Sequence, residues 1–186
     1  MIERSLVLLK PDAVQRGLMG KIITRFEDAG LKIIGMKMVK VDAELAKKHY
    51  KDMLIPIVGN KTKTDWDKMG VVCTDEVEEI GKMIIEKTRE FLMSAPVVAM
   101  VMEGVNAVEV IRKIVGSTGP KDALPGTIRG DFSHLSLGYA SMQHKGAANM
   151  IHASGNLEEA KEEIGLWFDD SELYEYKTVH EVHIFG

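Results

Sequence analysis

Apolar positions fall at different spacings along the chain, and each spacing predicts an element. Continuous runs occur at "SLVLL" (Ser5 to Leu9) and "PVVAMVM" (Pro96 to Met102). Short runs of this kind suit strands buried on both faces, and Pro11 closes the first. "LKIIGMKMVKV" alternates in part, with Ile34, Met36 and Met38 on one face, and predicts a further strand. "AANMIHA" predicts a fourth. Elsewhere the apolar residues recur at helical spacing. Ile22, Ile23, Phe26 and Ala29 precede Gly30, a helix stop. Asp42 is placed to cap "AELAKKHY". Val77, Ile80, Ile84, Ile85, Thr88, Phe91 and Leu92 form a stripe behind Asp75 and Glu78, which resemble a capping box. "AVEVIRKIV" lies between a capping Asn106 and a terminating Gly116, and "LEEAKEEIGLWF" follows Asn156 and contains Glu159 for its cap. The tail "TVHEVHIF" alternates weakly and reads as strand or tail.

Two stretches have no sustained period. Residues 53–75, with Pro, two Gly and three Thr, and about 132–146 are expected to be irregular loops. The element order predicts a single domain over residues 1–186. Its class is α/β (α+β): one antiparallel or mixed sheet with helices packed on its face, the ferredoxin-like arrangement.

Composition changes this picture little. The 186 residues are 45% hydrophobic and 28% charged, an ordinary globular mixture with a net charge of −4. A net-acidic chain is not expected to bind nucleic acid through a general surface, so an anionic ligand needs a local cluster of cations. Cys73 is the single cysteine, which excludes an intrachain disulfide and suits a reducing cytosol. No run reaches the roughly 18 apolar residues of a membrane span.

Three cations sit at element ends or beside glycines: Lys10, Arg112, and Arg129 in "GTIRGDF". Converging, they would clamp phosphates, Arg through paired donors and Lys as a point charge. The alternative is three unrelated surface cations; neither common phosphate-loop signature is present. His152 ends an apolar run and precedes the last clear helical pattern. A neutral imidazole is a nucleophile near pH 7, and Glu163 on the following helix could fix its tautomer. His49, His134 and His144 have surface-like neighbours. The "HEVH" pair, His180 and His183, has helical spacing in a segment that lacks a third metal ligand, so no protein metal site is assigned.

"LLKPDAVQRG", "SAPVVAMVMEG", "LPGTIRGDF" and "NMIHASG…EEIGLWF" occur in this order, and together they resemble the nucleoside diphosphate kinase family over roughly Ser5 to Tyr176. The resemblance implies ping-pong transfer of a terminal phosphoryl group from a nucleoside triphosphate to a diphosphate through a phosphohistidine, with broad base tolerance. It implies His152 as the phosphorylated residue, Glu163 orienting it, Ser154 supporting the site and Tyr50 packed beside the histidine. Lys10 matches the lysine on the transferring phosphate and ribose, Asn149 a ribose contact, and Arg112, Thr118 and Arg129 the phosphate contacts. It implies Mg²⁺ held mainly by the nucleotide and a homo-oligomer (hexamer or tetramer); with the single cysteine, a cytoplasmic enzyme is expected. The chain departs from the pattern in two longer spans, 53–75 and about 132–146. The family's base-stacking aromatic is replaced by Ile84, with Phe91 or Trp66 as substitutes, and Gly155 stands where aspartate is common. Trp66 and "LIPIV" predict that the first span folds against the nucleotide cleft or a neighbouring subunit.

Overall fold

The structure is a computed structural model and describes residues 1–185. Four antiparallel strands form one sheet in the order β2-β3-β1-β4. They are β1 (Ile2–Leu9), β2 (Lys32–Val39), β3 (Val97–Val105) and β4 (Ile151–Ala153). The continuous apolar runs take the centre, as expected. β1 pairs with β3 over its whole length and with β4 at its C-terminal end, where Leu8 faces His152.

Because strand side chains alternate, the two central runs supply two buried faces. Val7, Leu9, Val98, Met100 and Met102 pack with Ile22, Phe26, Ile111 and Val115 on one side. Leu6, Leu8, Val97, Ala99 and Val101 pack with Ala46, Leu92, Trp167 and Phe168 on the other. Helices therefore cover both faces. α1 (Pro11–Gln15), α2 (Met19–Glu27), α3 (Ala43–His49), α4 (Ile55–Lys68) and α5 (Val77–Met93) precede β3; α6 (Ala107–Val115), α7 (Ile128–Phe132) and α8 (Leu137–Met142) precede β4. α9 (Leu157–Trp167) and α10 (Val179–Phe185) complete the chain.

Several local expectations hold and several do not. Asp42 accepts from the Leu45 amide and Asn156 from the Glu159 amide, two of the four predicted caps. α5 begins one residue later than predicted, at cap residue Glu76, and no side chain caps it. Asn106 precedes α6 in a left-handed conformation without a side-chain cap bond. In β2 an irregularity between Ile33 and Gly35 breaks the alternation. Ile34 is buried, while Met36 and Met38 stay more than half exposed. The tail is helical in α10, with no strand.

The largest correction concerns the two aperiodic stretches. Residues 53–75 hold the 14-residue helix α4, and 132–146 hold the short helix α8. α4 was hidden because its buried positions are Gly59, Thr62 and Trp66, of which only one is a large apolar residue. Glycines let α4 lie against α5: a Cβ on Gly81 would overlap the Ile55 carbonyl, and one on Gly59 the Val77 carbonyl. Trp66 is buried, and its indole N–H donates to Ser141 Oγ at 2.8 Å and to the Gly138 carbonyl at 3.2 Å. Those bonds join α4 to α8.

Gly81→Ala is expected to lower unfolding free energy by about 1–3 kcal/mol through overpacking, against a helix-propensity gain of only about 1 kcal/mol. Gly20→Ala in α2, where a Cβ meets nothing within 4 Å, is expected to raise stability by roughly 0.5–1 kcal/mol. Urea titration of both variants checks the contrast, and a stabilised Gly81→Ala would refute the close crossing.

Candidate active site

The loop entering β4 bends sharply. The Ile151 amide donates to the Asn149 carbonyl at 2.9 Å across Met150, whose φ is 72°. This is a tight three-residue turn, strained for a side chain as large as methionine. Three contacts hold it: the Met150 amide donates to Asp12 Oδ2 at 2.9 Å, its carbonyl accepts from the Lys10 amide at 2.9 Å, and its side chain is buried. The turn sends His152 out of the strand end beside a cavity of about 360 Å³.

His152 Nε2 lies 2.8 Å from Glu163 Oε1. The carboxylate can only accept, so this nitrogen carries the proton and Nδ1 keeps the free lone pair. Glu163 Oε2 accepts from Ser154 Oγ at 2.6 Å, and Ser154 Oγ accepts from the Leu6 amide at 3.2 Å. The imidazole is thus referred to the backbone of β1 through one carboxylate and one hydroxyl. His49 packs edge-on against the His152 ring, with centroids 4.5 Å apart, and its Nδ1 accepts from the Trp167 indole N–H at 3.3 Å. Burial first, then the neighbouring His152 and Lys10, hold His49 well below the usual imidazole range. His49, expected at the surface from its neighbours in the chain, is buried. The clue was its position three residues after Ala46, the other buried residue of α3.

The predicted cations converge. Lys10, Arg112, Arg129, Thr118 and Asn149 line the cavity with Tyr50 and His152. Lys10 is almost fully buried; Nζ donates to Asn149 Oδ1 at 2.8 Å and to the Ala147 carbonyl at 3.3 Å. Asn149 in turn donates to the Thr118 carbonyl at 2.8 Å. Burial, reinforced by Arg129 and opposed by Asp12, lowers the Lys10 pKa to about 7. Arg129 is also buried and spans three carbonyls, those of Asn149 (3.2 Å), Gly116 (3.0 Å) and Ile151 (2.6 Å). Burial lowers its pKa to about 10, leaving it charged at neutral pH. Arg112 makes no side-chain hydrogen bond or ion pair among the described residues and is free to meet a ligand. Burial also raises the Tyr50 hydroxyl well above its usual range, so it stays protonated.

The opposite wall is apolar: Leu54, Val58, Ile84 and Ile85 face it, with Leu137 and Ala140 from α8. Of the three residues expected to stack on a base, Ile84 lines the cavity. Trp66 and Phe91 do not. Trp66 points into α8, and Phe91 lies against Gly146. Gly155 has a local reason: its amide donates to Glu159 Oε2 at 2.9 Å, and a side chain there would overlap that carboxylate. His49, His152 and Glu163 bring three ligand-type atoms within 4.8 Å of one another. Both Glu163 oxygens are already engaged, so the group reads as an orienting cluster. His180 and His183 lie far along the chain in α10, with His180 against Gly30.

Comparison with known proteins agrees with this geometry. The family model described as nucleoside diphosphate kinase matches residues 3–55 and 77–173, passing over most of α4. A nucleoside diphosphate kinase of Pyrococcus furiosus is 47% identical over 175 residues, covering 94% of this chain and 88% of that relative. The crystal structure of an NDP kinase from Pyrobaculum aerophilum superposes with a TM-score of 0.88 at 39% identity, covering 94% of this chain and all of the other. A transition-state mimic of the nucleoside-diphosphate kinase from Borrelia burgdorferi, with bound vanadate and ADP, gives 0.81 at 38% identity, covering 98% and 96%. The chain belongs to the nucleoside diphosphate kinase family, and its activity is transfer of a terminal phosphoryl group between nucleotides.

Proposed function

We propose that this transfer runs by a ping-pong route through Nδ1 of His152. The observation that carries the reading is the 2.8 Å bond from His152 Nε2 to Glu163, which leaves Nδ1 unprotonated beside a cation-lined cavity. Nδ1 donates its lone pair to the terminal phosphorus of a nucleoside triphosphate. The bond to the bridging oxygen breaks, and the diphosphate leaves with that electron pair. A second diphosphate then attacks the phosphohistidine through a terminal oxygen, and the electron pair of the P–N bond returns to Nδ1. Glu163 holds the Nε2 proton and offsets positive charge on the ring. Catalysis here is positioning and electrostatics. Arg112 meets developing charge directly; Arg129, Lys10, Thr118 and Asn149 hold the phosphates and ribose; Tyr50 and Ser154 keep the histidine in place.

The donor set suits an ion carried in on the nucleotide. The cavity-lining carboxylates are Asp65 and Glu159, and Glu159 is occupied by the Gly155 amide and Asn156. Mg²⁺ would be held mainly by the phosphates and would neutralise their charge. No helix among the described residues is long and apolar enough to cross a membrane. The lone Cys73 fits a cytoplasmic enzyme. A homo-oligomer fits the sheet edge: β2 is terminal, the segment after α9 covers the Ile33 and Ile34 carbonyls through the Tyr176 hydroxyl and the Tyr174 amide, and Met36 and Met38 are exposed beyond it. A Met36→Lys, Met38→Lys double variant is expected to sediment as a smaller species; an unchanged coefficient would place the contact elsewhere.

Among the site variants, His152→Ala should abolish transfer and labelling from the terminal phosphate of a triphosphate while retaining nucleotide binding. Glu163→Gln should slow turnover less. Arg112→Ala should cost on the order of 2–4 kcal/mol of transition-state stabilisation, as for loss of one preorganised donor, with an unchanged melting temperature. Substantial turnover by His152→Ala would refute the route. A regulatory nucleotide-binding protein without turnover would show no label in the parent, and a relay protein would show no competition from non-adenine triphosphates.

Lys10 generates a pH prediction. Its pKa is about 7 in the free protein, against an ordinary lysine value of 10.5. Between these values the unfolded chain binds more protons than the folded one, so this residue's contribution to stability rises with pH across that window. Phosphates beside Lys10 would restore its charge. Nucleotide binding at pH 8 should therefore take up close to one proton, measurable by calorimetry in buffers of different ionisation enthalpy. Lys10→Met should remove the uptake; uptake unchanged in that variant would assign it to another group.

A further inference from the structure

The helices absent from the predicted pattern add charged groups to the cavity that phosphoryl transfer does not use. α4 contributes Lys61 and Asp65, and the segment after α8 contributes Lys145. None of the three makes a side-chain hydrogen bond or ion pair among the described residues. In the phosphate site Lys10, Asn149, Arg129 and Glu163 are engaged, and Arg112 alone of its three cations is likewise unpaired. Asp65 is the acid of the set, half-buried and facing the cavity.

Its placement is fixed by its neighbour. Trp66 is turned into α8, where Ser141 and Gly138 accept its indole N–H. Gly138 lets α8 close on α4: a Cβ there would come within 2.7 Å of Met69 Sδ and 3.6 Å of Asp65 Cβ. With Trp66 latched against α8, Asp65 is held on the cavity side of the helix. A carboxylate is repelled by phosphates, so it is useful only away from the Arg112–Arg129 end. The apolar residues Leu54, Val58, Ile84 and Ile85 make the wall against which a flat ring packs. The edge of that ring is the remaining polar surface of the ligand.

Resting on the reading of this cavity as the nucleotide site, we propose that Asp65 is a specificity-determining residue that accepts hydrogen bonds from the base, with Trp66 as the positioning residue that holds it there. Two carboxylate oxygens match two adjacent N–H donors. Guanine offers this pair, from its ring N–H and exocyclic amino group. Adenine and cytosine put a ring acceptor beside their amino group, and uracil flanks its N–H with carbonyls. Because Asp65 is only half-buried, the discrimination is graded and compatible with turnover of every base.

The test is calorimetric binding of GDP and IDP to the full-length His152→Ala variant, which needs no turnover. IDP lacks only the exocyclic amino group. GDP is expected to bind about 5–10-fold more tightly, the scale of one charge-assisted bond discounted for exposure. Asp65→Asn in the same background should bring the two to within about 2-fold, since an amide matches the donor pair with one acceptor only. Trp66→Phe, which keeps the ring but not the N–H, should weaken both ligands and narrow the ratio. In the otherwise native enzyme, Asp65→Asn should raise KM for GDP at unchanged kcat. Equal affinities in the parent, or a GDP preference that survives Asp65→Asn, would overturn the proposal. Loss of transfer with the GDP preference intact would fault the catalytic reading alone.

Discussion

The carboxylate of Glu163 joins the fold to the chemistry. One oxygen takes the proton-bearing nitrogen of His152 and the other takes Ser154, which is itself anchored to the backbone of the central strand β1. Three elements must be in register for this to form: β1, β4 and α9. The β1–β4 ladder is only three residue pairs long, so its alignment depends on what surrounds it. Asn156 supplies part of that alignment by capping α9 with a 2.8 Å bond to the Glu159 amide, which sets where Glu163 arrives one turn later. The strained turn at Met150 supplies the rest, since it bends the chain into β4 and aims the Asn149 and Ile151 carbonyls at Arg129.

Burial then gives the cationic side of the site its character. Arg129 is used as a strut, and its donors to three carbonyls tie the end of α6 to the entry of β4. Lys10 is held by Asn149 and desolvated to a pKa of about 7. A phosphate entering the cavity meets donors that are already fixed, so little reorganisation accompanies binding. The net charge of −4 over the whole chain does not oppose this, because the cations act at close range within the cavity. His49, kept uncharged by its burial against His152, adds no positive charge beside the proposed nucleophile.

The central sheet was legible because β1 and β3 each contain a continuous apolar run, and the helix after His152 because Asn156 and Glu159 stand at capping spacing. His152, Glu163 and the cations were legible through motifs in a fixed order; the structure brings His152 and the cations to one cavity, with Glu163 bonded to His152 behind it. What escaped had physical reasons. α4 buries glycine, threonine and one tryptophan, so no apolar stripe announces it. The β2 irregularity reverses which residues face the core, which alternation cannot foresee. His49 is polar by type but buried by long-range packing against Trp167, 118 positions away. Trp66 and Phe91 were candidates for a base platform because aromatic rings stack; tertiary contacts turn both away from the cavity.

The central claim is that Glu163 reserves Nδ1 of His152 for the phosphoryl group. The most direct measurement is nuclear magnetic resonance of the phosphoenzyme, prepared with ¹⁵N-labelled histidine and a nucleoside triphosphate. The account predicts one phosphorus resonance coupled to Nδ1 of His152, with Nε2 protonated and bonded to Glu163. Coupling to Nε2, or phosphorus on any other residue, would contradict it.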